Sequence, residues 1–191
     1  MGLLAISGSL RRASYNTALL RHAVELFAAE GAELEVYCAL ESVPPFNPDV
    51  DAEATPVAVG LLRAAVAKCD GIFFATPEYN SSVPGALKNG LDWLSRPLET
   101  NHMRNKPVAV IGASTGGFGA VWGQAELRKV LAAIGARVVD GEVAIGHVMN
   151  RFDEDGRLND PNLEEEMREI IRDLLAEIDD RSPEPDTLAA A

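Results

Sequence analysis

Short apolar runs alternate with longer stretches of helical period five times along this chain, and that rhythm narrows its possible folds more than any other feature. Residues 3–6, 34–38, 71–75 and 107–111 read as strands, and 137–139 with 143–145 as a fifth, interrupted near Gly141. The runs GIFFA (71–75) and PVAVI (107–111) are apolar throughout, as in strands covered on both faces. Apolar residues recur at helical spacing over 17–30, 56–68, 84–94, 120–134 and 161–178. Gly31 is placed to end the first helix, while Thr55-Pro56, Pro84 and Asp160-Pro161 are placed to open others. Residues 42–51 contain Pro44, Pro45 and Pro48 and are expected to form a long loop without regular structure. Pro183 and Pro185 would end the last helix, giving one domain over 1–181 and a disordered tail over 182–191.

Parallel strands require crossover connections, and those crossovers cover the sheet. The expected architecture is therefore α/β, a three-layer sandwich around a five-stranded parallel sheet in the order 2-1-3-4-5. In such a sheet ligands bind beyond the carboxyl ends of the strands, at the switch point beside strand 1. The loops after strands 1, 3 and 4 should carry the site.

Those loops are the polar or glycine-rich ones. The first, Gly8 to Thr17, joins a strand to a helix N-terminus, where free amides and the helix dipole favour an anion. Ser9, Ser14, Asn16 and Thr17 add hydroxyl and amide groups, and Arg11 adds a charge-assisted donor for a phosphate monoester. The same residues would also serve a plain polar turn with Ser14 or Asn16 as the helix cap, and Arg12 reads as solvent-exposed. The loop is neither GxxxxGK[ST] nor GxGxxG, which disfavours triphosphate hydrolysis and an ordinary dinucleotide turn. The second, residues 76–84, is stiffened by Pro77 and Pro84; Tyr79 offers an aromatic surface, and Asn80 a donor and an acceptor. Glu78 is either a ligand contact or a solvated carboxylate. The third, Ser114-Thr115-Gly116-Gly117-Phe118-Gly119, couples hydroxyls to glycines that let backbone approach a flat ligand.

Charge excludes other classes. The net charge is −12, and residues 153–191 alone hold 14 acidic and 4 basic residues. No basic stripe exists for nucleic acid or an anionic membrane surface, and no apolar run reaches the length of a membrane span. Cys38 and Cys69 have no metal or redox spacing and are expected to be buried, in keeping with a reducing, cytoplasmic setting. His22, His102 and His147 share no spacing, so neither a metal site nor a catalytic triad is expected.

The segments GSLRRASYN, PEYNSSVPGALKNGLDWLSRP and STGGFGAVWGQAELRKVL resemble the NADPH-dependent FMN reductase family, particularly its chromate and quinone reductase branch, over about residues 3–147. The resemblance implies a flavodoxin-like fold, FMN as cofactor, and NADPH or NADH as co-substrate. Ser9, Arg11, Ser14, Asn16 and Thr17 would hold the FMN phosphate. Pro77, Glu78, Tyr79 and Asn80 would lie along the ring and ribityl chain, with Ser114, Thr115 and Gly117 flanking the ring. It further implies a homodimer or homotetramer, with contacts from residues 83–96 and from the helix containing Gln124 and Arg128; Trp93 is either an anchor there or a core residue. No catalytic side chain is expected, because the flavin carries the chemistry. Electrons would pass to a small acceptor: a quinone, an azo compound, chromate or free flavin. The competing readings are a flavodoxin-type electron carrier without NAD(P)H turnover and a scaffold in which all three loops are ordinary turns.

Overall fold

The computed structural model describes residues 1–180. Strands β1 (Gly2–Ser7), β2 (Glu33–Tyr37), β3 (Gly71–Thr76) and β4 (Pro107–Ala113) pair in parallel in the order β2-β1-β3-β4. The fifth position is shared by two short strands, β5 (Arg137–Val138) and β6 (Val143–Ile145), each paired in parallel with β4. This is the expected 2-1-3-4-5 order, its last strand broken as the sequence indicates. The break has an occupant. The Arg128 guanidinium donates to the carbonyls of Val139, Gly141 and Val110 and so satisfies backbone that the ladder leaves unpaired.

Among the described residues six α-helices complete the layers: α1 (Tyr15–Ala29), α2 (Pro48–Glu53), α3 (Val57–Lys68), α4 (Gly85–Leu94), α5 (Val121–Ala133) and α6 (Pro161–Asp179). Side chains alternate across each strand, so each face feeds a separate core. Leu3, Ala5, Phe73, Ala109 and Ile111 meet α1 and α6; Leu4, Ile6, Ile72, Phe74, Val108 and Val110 meet the buried faces of α3, α4 and α5. β3 and β4 are buried at every residue, which explains their unbroken apolar runs. Four side chains of α6, Met167, Ile170, Ile171 and Leu174, are buried, each worth about 1.5–3 kcal/mol. Among the described residues no helix is long and apolar enough to cross a membrane, and no three metal-ligating side chains cluster.

Two local expectations need correction, and one open alternative is resolved. The segment 42–51 is not wholly irregular: Pro48 is the first residue of α2, where its fixed φ suits a helix and its missing N–H costs nothing, and Asn47 caps the turn by accepting from the Asp49 amide at 3.0 Å. Cys38 is exposed, because it follows β2 at the sheet edge; only Cys69 is buried. Trp93 is fully buried, edge-to-face with Phe46 at 5.0 Å and with its indole N–H donating to the Pro44 carbonyl at 2.8 Å, so it anchors the 44–46 segment rather than a partner. The expected disordered tail lies outside the described residues.

Candidate functional site

The first loop is shaped by its own hydroxyls. The Ser7 hydroxyl accepts from the Ser9 amide (3.2 Å) and from the Thr17 hydroxyl (3.0 Å), while Ser9 Oγ accepts from the Arg11 amide (3.4 Å). Ser14 is the N-cap of α1, its hydroxyl accepting from the Thr17 amide at 3.2 Å. The first amides of α1, at Tyr15 and Asn16, have no intrahelical acceptor and border the cleft.

Long-range bonds then lock the three loops together. The Gly8 amide donates to Ala75 at the end of β3 (2.8 Å). Asn16, buried, makes a closed pair with Ala113 at the end of β4: its amide group donates to the carbonyl and its oxygen accepts from the N–H, both at 3.0 Å. Glu78 reaches from the second loop to the N-terminus of α5, where one carboxylate oxygen accepts from the amides of Trp122 (3.0 Å) and Gly123 (3.1 Å). Tyr79 and Ser82 exchange backbone hydrogen bonds around Asn80 and Ser81, both at positive φ, in the manner of a two-residue hairpin turn. The third loop is fastened to the end of β6 by the Ser114 amide on Ile145 and the His147 amide on Gly116. Gly119 has φ +59, and a side chain there would overlap the Ala144–Ile145 backbone, so this glycine serves the packing of the loop on its neighbour.

An open cleft of about 110 Å³ results at the carboxyl ends of β1, β3 and β4. Nine of the expected site residues line it: Ser9, Arg11, Ser14, Asn16, Pro77, Glu78, Tyr79, Ser114 and Thr115. Three do not. Thr17 lies behind the loop with its hydroxyl committed to Ser7, Asn80 sits at the exposed tip of the hairpin, and Gly117 packs beside the His147 ring. Two residues in the cleft act at one remove, Asn16 tying α1 to β4 and Glu78 capping α5. The lining also includes Tyr15, Ala113 and Val148, which the sequence did not single out. Val148 follows β6, and only the pairing of β6 with β4 brings it there. The expected contact residues Gln124 and Arg128 turn inward: Gln124 is fully buried, donating to the carbonyls of Gly119 and Val143, and Arg128 fills the β5–β6 break.

The donors match FMN. A helix N-terminus, two serine hydroxyls and an arginine with no carboxylate partner among the described residues suit a phosphate. Tyr79, 45% exposed, and Pro77 give a flat apolar wall for a ring. Residues 1–150 match the model of the NADPH-dependent FMN reductase family. The chain is 41% identical to an NAD(P)H-dependent FMN reductase of Pseudomonas aeruginosa, covering 91% of this chain and 90% of that one. It is 35% identical to an NADPH:quinone oxidoreductase of Arabidopsis thaliana, covering 90% and 89%. FerB, a flavoenzyme NAD(P)H:(acceptor) oxidoreductase of Paracoccus denitrificans, superposes with a TM-score of 0.83 at 28% identity over 94% of this chain and 98% of that one. Sequence and cleft agree, and the chain belongs to the NADPH-dependent FMN reductase family.

Proposed function

We propose that the protein oxidises NAD(P)H through bound FMN and delivers the electrons to a small acceptor of the quinone class. One observation carries this reading: the cleft joins a phosphate-binding helix N-terminus, with Arg11 and the Ser9 and Ser14 hydroxyls, to an exposed aromatic wall at Tyr79. The curated relatives named as FMN and quinone reductases support it.

Bound FMN would supply the redox chemistry, taking a hydride equivalent from nicotinamide and passing electrons to the acceptor. The chain's own work is binding and orientation. Ser9, Ser14, Arg11 and the first amides of α1 would hold the phosphate, and Pro77, Tyr79, Ser114 and Thr115 would hold the ring. The one carboxylate lining the cleft, that of Glu78, is held by the amides of Trp122 and Gly123, and we assign no acid or base. We place the reaction in the cytoplasm, where an exposed thiol such as that of Cys38 stays reduced. We also take the active form to be a homodimer or homotetramer, since Phe118 (68% exposed) and Trp122 (50% exposed) stack edge-to-face at the surface beside Glu78; light scattering of the purified protein checks this.

The test is an anaerobic titration of the FMN-loaded protein with NADPH and with NADH. Bleaching of the visible flavin absorbance, followed by recovery on adding a quinone, is expected. Persistence of the colour with both coenzymes overturns the reading. In parallel, Ser9→Ala with Arg11→Ala should weaken FMN binding by about 100-fold or more, from the loss of two phosphate contacts, one of them charged.

A further inference from the structure

The first loop has a second side. Facing away from the flavin cleft, between the loop and the end of β2, lies a cavity of about 190 Å³ lined by Arg11, Arg12, Thr17, Arg21, Tyr37 and Glu41 among others. Three guanidinium groups meet one carboxylate there, in a chain where acids outnumber bases by 29 to 17. The side chains of Arg12 and Arg21 have no ion pair or hydrogen bond among the described residues, whereas Arg63, Arg137, Arg151, Arg157, Arg168 and Arg172 each hold a carboxylate. Neither Arg12 nor Arg21 contributes to the core, and neither borders the flavin cleft. Tyr37 lines the cavity with other atoms, its hydroxyl being buried without a hydrogen-bond partner.

The cavity adjoins the flavin cleft across the first loop. It shares Ser9 and Arg11 with the cleft, and it shares Leu10 and Arg11 with a shallow apolar trough that runs past Tyr79, Pro84 and Ala86. Leu10 is 48% exposed, which leaves an apolar bridge between the arginines and Tyr79. A ligand fitting this path has an anionic group at one end and flat rings along its length.

We propose that Arg12 and Arg21 form the pocket for the 2′-phosphate of NADPH, its nicotinamide reaching the flavin cleft across Leu10. The proposal rests on the reductase reading above and adds to it a coenzyme preference. Arginine suits the role because its planar donors grip a dianionic phosphate, whereas the free 2′-hydroxyl of NADH gives them nothing to pair with.

The test compares the FMN-loaded protein with its Arg12→Ala/Arg21→Ala variant; both residues are exposed, so folding is not at stake. The variant should raise KM for NADPH by about ten-fold or more, the loss of at least one charge-assisted contact. KM for NADH and the affinity for FMN should stay within about two-fold, a free-energy change inside the usual scatter of surface substitutions. Calorimetric titration with adenosine 2′,5′-bisphosphate and with AMP gives a readout independent of turnover. The bisphosphate should bind the parent more tightly, and the difference should vanish in the variant. Equal binding of the two nucleotides by the parent overturns the proposal, as does a parallel rise in both KM values. A drop in FMN affinity also overturns it, by assigning the arginines to the flavin phosphate. If neither coenzyme bleaches the parent, the reductase reading fails, and the nucleotide titration alone still decides whether the pocket selects a 2′-phosphate.

Discussion

Two side chains in the cleft show how a residue can be essential to a binding site without being its ligand. Glu78 satisfies two amides of the first turn of α5 from a loop 44 residues earlier, doing for that helix what an N-cap side chain does locally. Glu78→Ala should lower the unfolding free energy by about 1 kcal/mol, the usual cost of losing a cap. Glu78→Gln keeps the acceptor and loses only the charge–dipole attraction, so it should fall between, by about 0.3–1 kcal/mol. Urea denaturation of the flavin-free protein checks the order. Asn16→Ala is the more damaging change. It strips Ala113 of partners for both N–H and carbonyl in a buried position, and two such bonds are worth about 2 kcal/mol together. Asn16→Asp should be no better than alanine, because the second carboxylate oxygen would face the Ala113 carbonyl. If Asn16→Ala unfolds at the parental urea midpoint, the clamp between α1 and β4 contributes nothing.

Between elements, the packing of α1 against α6 carries a titratable group. His22 is buried on α1, its ring nitrogens without hydrogen bonds, with Nε2 3.5 Å from a Glu164 carboxylate oxygen on α6. Burial holds its pKa below 6.5; Glu164 and Glu25 pull it upward, and Arg168 and Arg157 push it down. The folded protein therefore keeps His22 neutral where the unfolded chain binds a proton. Its contribution to stability is complete above about pH 6.5 and is lost as pH falls through the window below. Glu25 and Asp51, whose pKa values are lowered chiefly by their hydrogen bonds to Arg157 and Arg63, lose their contributions only in a separate window, below about pH 4. Melting temperature should thus decline from pH 7 toward pH 5.5, and His22→Leu should flatten that segment; an unchanged slope in the variant would show that another group titrates. At this scale the sequence is most legible where burial is uniform: GIFFA and PVAVI announce β3 and β4, and their order places the three loops. Less legible are features that depend on a remote partner. Pro48 reads as a breaker until Asn47 is seen to cap its turn, Glu78 reads as a solvated carboxylate until α5 arrives beside it, and Val148 enters the cleft only through the pairing of β6 with β4.

For the molecule as a whole, the cleft is a junction of three chain segments that FMN would clamp from one side. Bonds from Gly8 to Ala75, Asn16 to Ala113 and Ser114 to Ile145 already connect the ends of β1, β3, β4 and β6, so an occupant of the cleft stabilises the sheet as a unit. A ligand that binds only the folded state at 100 times its Kd adds about 2.7 kcal/mol to the unfolding free energy. For a domain of this size each kcal/mol corresponds to about 2–4 °C, so FMN at that excess should raise Tm by about 5–10 °C. Riboflavin separates the two ends of the site. It offers the same ring to Tyr79 and Pro77 but no phosphate to Arg11 and α1, so at equal free concentration its shift should be the smaller. Salt separates charge from stacking. The protein bears a net −12, and only the local guanidinium and amide groups favour a phosphate dianion; raising ionic strength screens that exposed attraction, so FMN's shift should shrink while riboflavin's holds. Equal shifts from the two flavins, with equal salt response, would mean that the ring alone is recognised and that the N-terminus of α1 holds no phosphate.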